Sequence, residues 1–223
     1  ALQKYGADPI RWYMLTNASP WENLKFDPEG VEEVRRKFFG TLYNTYSFFA
    51  LYANVDGWTP AEAAKAESLT EIDRWILSCL NTLVKDVTAN YEAYEPTKVG
   101  RAISDFLQEN LSNWYVRRCR ERFWVSDMPQ DKINAYMTLY TTLVTFVKIA
   151  APMIPFMSED IYLNLVAGQD PAAPQSVPFC DFPESNPAFI NTELEQKMEH
   201  VLEIVVRDWG CGIEDISRAR TPL

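Results

Sequence analysis

The chain has 223 residues, of which 47% are hydrophobic and only 8 are glycine, and it carries a formal net charge of −10. This composition excludes a disordered tail, disfavours a turn-rich β architecture, and rules out nucleic-acid binding by bulk attraction, so any RNA contact needs a local basic patch. Cys79, Cys119, Cys180 and Cys211 form no CxxC pair and His200 is the one histidine, which leaves zinc and haem almost no ligands.

In chain order, Asp8-Pro9 predicts a helix start, with aspartate capping free amides and proline at the first helical position. Ile10, Trp12, Tyr13 and Leu15 follow on that short helix. Asp27-Pro28 repeats the signal and opens a helix to about Val55, with Val31, Val34, Phe38, Leu42, Phe49 and Ala53 on one face. Thr70-Glu71-Ile72-Asp73 reads as a capping box with Asp73 in place of the usual Glu or Gln. Ile72, Trp75, Ile76, Leu80, Leu83, Val87 and Tyr91 then recur at helical spacing. Further helices are expected from Pro96 and from Pro129, the latter ending before Pro152 and Pro155. A short helix over 158–166 should close at Gly168 with a left-handed cap. Five prolines between 169 and 190 exclude regular helix and read as a connector draped over the surface. Thr192-Glu193-Leu194-Glu195 reads as a capping box for a last amphipathic helix. The expected class is all-α, a helical bundle with a proline-rich connector and a C-terminal helix. No run is long and apolar enough to suggest a membrane span, and the reduced thiols fit a cytoplasmic protein.

The run Leu111–Trp124 concentrates four arginines and four aromatic rings in an acidic chain. At 100° per residue, Val99, Ile103 and Phe106 share one face of the helix from Pro96. Past Asn110 that face continues as Trp114, Arg117 and Glu121, while Val116, Cys119 and Phe123 fall on the opposite side. The apolar stripe has moved about half-way round, which implies a helix passing from one packed body to a second. Val116, Cys119 and Phe123 are therefore expected to be buried. Trp114 is read as core, and Arg117 with Glu121 as an ion pair at the junction. Arg118 and Arg122 are expected to be more exposed than Arg117 and are the stronger candidates for RNA, with Arg117, Arg120 and Trp124 as further candidates. Arginines paired to acidic neighbours are the competing reading.

Glu32, Glu33, Arg35, Arg36 and Lys37 are expected to form a solvated face. Tyr43, Tyr46, Phe48, Phe49 and Tyr52 are expected in the core, and His200 at the surface. No Ser/His/Asp set, carboxylate pair or glycine-rich phosphate loop can be assembled, so no catalytic residue, metal or cofactor is assigned.

Three stretches carry a family resemblance. Lys4-Tyr5-Gly6-Ala7-Asp8-Pro9-Ile10-Arg11-Trp12-Tyr13-Met14-Leu15 resembles the segment after the K-M-S-K-S loop of class I aminoacyl-tRNA synthetases of the Ile/Val/Leu/Met group. Leu111–Trp124 is similar to a signature of isoleucyl-tRNA synthetases, particularly the eukaryotic-like branch also found in some bacteria. Ala151–Tyr162 looks like the end of their anticodon-binding helical domain. Arg218-Ala219-Arg220-Thr221-Pro222-Leu223 fits more loosely, and Pro178 and Trp209-Gly210-Cys211-Gly212 depart from the pattern. The resemblance implies a piece of an isoleucine–tRNA ligase, with residues 1–27 ending the catalytic region and 28–168 the anticodon-binding bundle. Residues 169–190 would be the connector and 191–223 the start of the C-terminal part. It also implies an isoleucine-specific tRNA and the ligase's own catalytic domain as partners, with ATP and Mg held outside this chain. A valine or leucine enzyme, or a helical protein–protein module, are the alternatives.

Overall fold

The computed structural model describes residues 2–19, 21–60 and 68–209, with side chains as far as residue 201. The sequence features at Gly210-Cys211-Gly212 and 218–223 lie outside the described residues. The described chain runs through α1 (Leu2–Tyr5), α2 (Ala7–Thr16), α3 (Pro28–Val34), α4 (Gly40–Asp56), α5 (Glu71–Glu92), α6 (Pro96–Asp105), α7 (Arg117–Trp124), α8 (Gln130–Ala150), α9 (Pro155–Tyr162) and α10 (Thr192–Trp209). No strand occurs among the described residues.

Three π-helical stretches interrupt this series. Arg35–Phe39 joins α3 to α4, Phe106–Val116 joins α6 to α7, and Leu163–Ala167 extends α9. The long one revises the angular reading of the arginine run. Bonding from i to i+5 widens each turn to about 4.4 residues, or about 80° per step instead of 100°. Over the stretch Phe106–Val116 the helix lags α geometry by about half a turn. That lag cancels the apparent shift of the apolar stripe. Val99, Ile103, Phe106, Leu107, Leu111, Tyr115, Cys119 and Phe123 stay on one side and are all buried.

The burial expected of Val116, Cys119 and Phe123 is observed, but the two-body inference fails. One contiguous apolar core extends from Trp12 on α2 to Leu194 on α10, and it takes in this entire helix. A satellite cluster of Tyr5, Tyr13 and Val31 lies beside it.

Most helix ends follow their sequence signals. Asp27 accepts from the Glu29 and Gly30 amides, and Thr70 and Asp73 exchange both bonds of a capping box. Gly57 closes α4 at φ 64°, a left-handed position suited to glycine. Three signals are redirected. Asp8 lies inside α2, whose N-cap is Gly6, and its carboxylate caps α9 instead. Gly168 has φ −72° and is not left-handed; a Cβ there would come within 2.8 Å of the Leu163 carbonyl, so glycine serves close approach. The last helix is capped by Asn191, which accepts from the Leu194 amide at 3.0 Å, and Glu195 reaches across to Ser78 and Thr82 of α5.

The connector is pinned as it crosses the surface. Val177 N donates to Glu159, Tyr162 to the Pro174 carbonyl, and Ser185 to the Asn81 carbonyl. Arg35–Glu32 and Lys37–Glu33 make the expected solvated pairs. Phe49 is buried and Tyr46, Phe48 and Tyr52 pack at the core margin, but Tyr43 faces solvent. His200 is exposed, as expected.

Candidate nucleic-acid interface

The inward side of α7 is built around Asp73, whose side chain is 0% exposed. Arg122 grips it with a fork, Nη1 to Oδ1 at 2.7 Å and Nη2 to Oδ2 at 2.8 Å. Tyr115 donates to Oδ1 at 2.8 Å, and Thr70 donates through both its amide and its hydroxyl to Oδ2. Arg122 also donates from Nε and Nη2 to Asp131, whose carboxylate lies 2.8 Å away, and from Nη1 to the Cys119 sulfur. Burial raises the Asp73 pKa, but the Arg122 hydrogen bonds and charge, with Thr70 and Tyr115, overcome it and hold the group below its ordinary value. Burial likewise opposes the Arg122 charge, and Asp73 and Asp131 reverse that and raise its pKa. The Cys119 thiol, buried beside this network, is pushed up to about 11. It is an inert core thiol.

Arg122 is thus committed inside the fold, with a side chain 15% exposed, whereas Arg117 is exposed. For Arg122 the order expected from the sequence is reversed, while Arg118 is exposed, as Arg117 is. The reason is the wide turn, which rotates Arg122 toward α5 and Arg117 away from it. No ion pair joins Arg117 to Glu121 among the described residues, so the expected junction pair is absent; both face solvent.

The outward side carries what remains. Arg117, Arg120, Glu121 and Trp124 stand at i, i+3, i+4 and i+7, one stripe of the helix surface, and all are exposed. Trp124 is 56% exposed. Arg118 lies at the edge of this stripe and stacks on Trp114, its guanidinium carbon 3.8 Å from the ring centroid. Trp114 is core, as expected, although its indole N–H has no hydrogen-bond partner. Stacking shields one face of Arg118 and burial lowers its pKa, while the other face stays open. Three cations and an exposed indole can follow a phosphate track and stack a base.

Sequence reasoning passed over the pair that fixes where α7 ends. Lys132 on α8 has a side chain 1% exposed; it bonds Asp56 on α4 at 2.6 Å and donates to the Val125 carbonyl at 2.6 Å. Tyr136 donates to the same Asp56 carboxylate. A lysine four places before Tyr136, on the core face of its helix, was the available signal. No group of three or more His, Cys, Asp or Glu residues positioned to hold a metal occurs among the described residues. No described helix is long and apolar enough to cross a membrane.

Residues 73–207, which include all of Arg117–Trp124, match the model of the anticodon-binding domain of tRNA ligase. The chain belongs to the family of tRNA-ligase anticodon-binding domains. This domain is 57% identical over 206 residues to an isoleucine–tRNA ligase of Bacteroides fragilis, a match covering 91% of this chain and 18% of that protein. An isoleucine–tRNA ligase of Dehalococcoides mccartyi is 47% identical over 222 residues, covering 100% of this chain and 22% of that protein. The chain therefore spans about a fifth of the length of the curated relatives it matches. A crystal structure of an Agrobacterium radiobacter K84 LeuRS–tRNA–LeuAMS ternary complex has the same fold, with a TM-score of 0.61 at 18% identity, over 85% of this chain and 21% of that one. The all-α bundle read from the sequence is the observed architecture.

Proposed function

We propose that this domain is the part of an isoleucine–tRNA ligase that grips the anticodon arm of its tRNA, with the outward face of α7 as the contact. The observation that carries the reading is the split of the arginine helix. Arg122 is consumed by Asp73 and Asp131, while Arg117, Arg118, Arg120 and Trp124 are left on the surface of a domain that belongs to an anticodon-binding family. Identity to isoleucine ligases over nearly the whole chain supports isoleucine as the amino acid and its cognate tRNA as the partner. On this reading the enzyme works in the cytoplasm, and ATP and Mg are held by the larger part of the ligase.

The test uses the full-length ligase. Arg118→Ala and Arg120→Ala are expected to weaken tRNA binding and to reduce the slope of log K against log salt by about 1 each. Unchanged affinity and slope in both would remove α7 from the interface. Charging assays with isoleucine, valine and leucine decide the amino acid, and retention of valine on its own tRNA would overturn isoleucine.

A further inference from the structure

The corner between α8 and α9 is forced by Pro152 and Pro155, and it leaves backbone groups at both helix ends without helical partners. Helix α2 supplies those partners with opposite charges one turn apart. The buried Asp8 carboxylate accepts from Met157 N at 2.8 Å and Phe156 N at 3.5 Å, capping α9. The Arg11 guanidinium donates from Nη2 to the Pro152 carbonyl at 3.0 Å and from Nε to the Met153 carbonyl at 3.2 Å, holding the turn that follows α8. The Asp8 charge has the sign that a helix N-terminus favours, and the Arg11 cation gathers the carbonyls of the turn between the two helices.

The other end of α2 is tied as well. Thr97 Oγ1 on α6 lies 2.8 Å from the Leu15 carbonyl and 3.1 Å from that of Ala18. At Gly100 a Cβ would come within 2.2 Å of Thr16 Cγ2 and 3.0 Å of Met153 Cε, so α2, α6 and the corner meet where no side chain fits. Trp12 stacks on Phe38 at 3.9 Å between these ties. Helix α2 can neither turn about its axis nor slide without breaking polar contacts at both ends. The corner it holds is backbone, which does not repack as side chains do.

We propose that Asp8 and Arg11 are positioning residues whose paired grip on the α8–α9 corner fixes the angle between the N-terminal helix and the tRNA-gripping bundle, and with it where bound tRNA is presented to the rest of the ligase. This rests on the function proposed above. Neither residue is near the outward face of α7 in the chain or borrows a group from it, so the grip should act on the rate of transfer and leave tRNA affinity alone. A misplacement of about 1 Å far from the chemistry is enough to cost up to about a hundredfold in rate.

The experiment uses the full-length ligase with Asp8→Ala, Arg11→Ala and the conservative Asp8→Asn and Arg11→Lys. Isoleucine-dependent pyrophosphate exchange, kcat and KM for tRNA charging, tRNA affinity and melting temperature are measured together. The expected result is that kcat for charging falls about tenfold or more in the alanine variants. Exchange, KM for tRNA and tRNA affinity stay at wild-type levels, and the conservative variants recover part of the loss. The proposal is overturned if charging is unaffected. It is also overturned if kcat, tRNA affinity and melting temperature fall together, which would mark the contacts as support for the bundle only. If Asp8→Ala does not fold, Arg11→Lys decides, because it keeps the charge but cannot reach both carbonyls as a fork. A wild-type ligase that fails to charge tRNA with isoleucine would sink the proposed function and not this grip.

Discussion

The two sides of α7 use the same residue type for unlike work. On the inner side Arg122 meets a carboxylate with no exposed surface and two further donors, and it becomes part of the core. On the outer side Arg117 and Arg120 are exposed to solvent. Charge on an arginine therefore says little about its role; what lies opposite decides it. What lies opposite is in turn set by a backbone property, the wide π-helical turns between Phe106 and Val116.

The strongest way to break the comparison is to remove the wide turn. Deleting Asn113, an exposed residue in the π-helical stretch, should rotate everything beyond it by about 100°. Cys119, Phe123 and Arg122 would all leave the core together. A loss above about 5 kcal/mol is expected, enough to abolish a cooperative urea transition in the 223-residue chain. Retention of a wild-type transition would show that the turn does not set the faces.

Next in size is the inner side itself. Arg122→Ala leaves Asp73 buried without its main partner and should cost about 3–5 kcal/mol in urea unfolding. Its pH signature has a definite sign. The folded-state pKa of Asp73 is depressed, so its contribution is complete above the ordinary aspartate value of 3.8 and is lost as pH falls through the lower folded value. Asp8 has the opposite sign. Burial raises its folded-state pKa, so protonation between the two values favours the folded state, and the Met157 and Phe156 amides offset this only in part. Asp73→Asn should therefore flatten the acid limb of stability, and Asp8→Asn should not.

Much of this was legible in the sequence. Caps at Asp27 and Thr70 and the prolines that end α8 follow from local rules that the fold obeys, and Val116, Cys119 and Phe123 are buried as expected although the 100° step behind that expectation does not hold. What was not legible has two physical causes. Periodicity analysis assumes a fixed angle per residue, and nothing local marks Phe106–Val116 as π-helical. The stripe shift was the trace of the wide turn, mistaken for a change of packing partner. The second is blindness to distant partners, which hid the Asp8 cap on α9 and the Lys132–Asp56 pair. Asp73 did carry a clue. An aspartate in the place of the usual Glu or Gln of a capping box accepts from Thr70 and is still directed inward to Arg122 and Tyr115.

The outer side should behave in the contrary way, with effects on binding and little on folding. Trp124→Ala is expected to weaken tRNA binding by about 1–3 kcal/mol if a base stacks on its exposed ring. Its unfolding free energy should change by less than about 0.5 kcal/mol, as for other surface substitutions. A large loss of stability with unchanged tRNA affinity would place Trp124 with the core residues.

The smallest effect is the most pointed, because it adds affinity. Glu121 stands one turn beyond Arg117 and next to Arg120 on the outer stripe, where its charge opposes a phosphate approaching either arginine. Glu121→Gln removes that repulsion and, with no ion pair to Arg117 to lose, should leave the unfolding transition in place. Affinity for tRNA should rise by less than about 1 kcal/mol at low salt, and the gain should shrink as salt is raised past the point where the Debye length falls to about 8 Å. Weaker binding in Glu121→Gln would mean that the carboxylate accepts from a base edge or a ribose hydroxyl, and the stripe would then be a surface that reads the RNA and not a simple phosphate track.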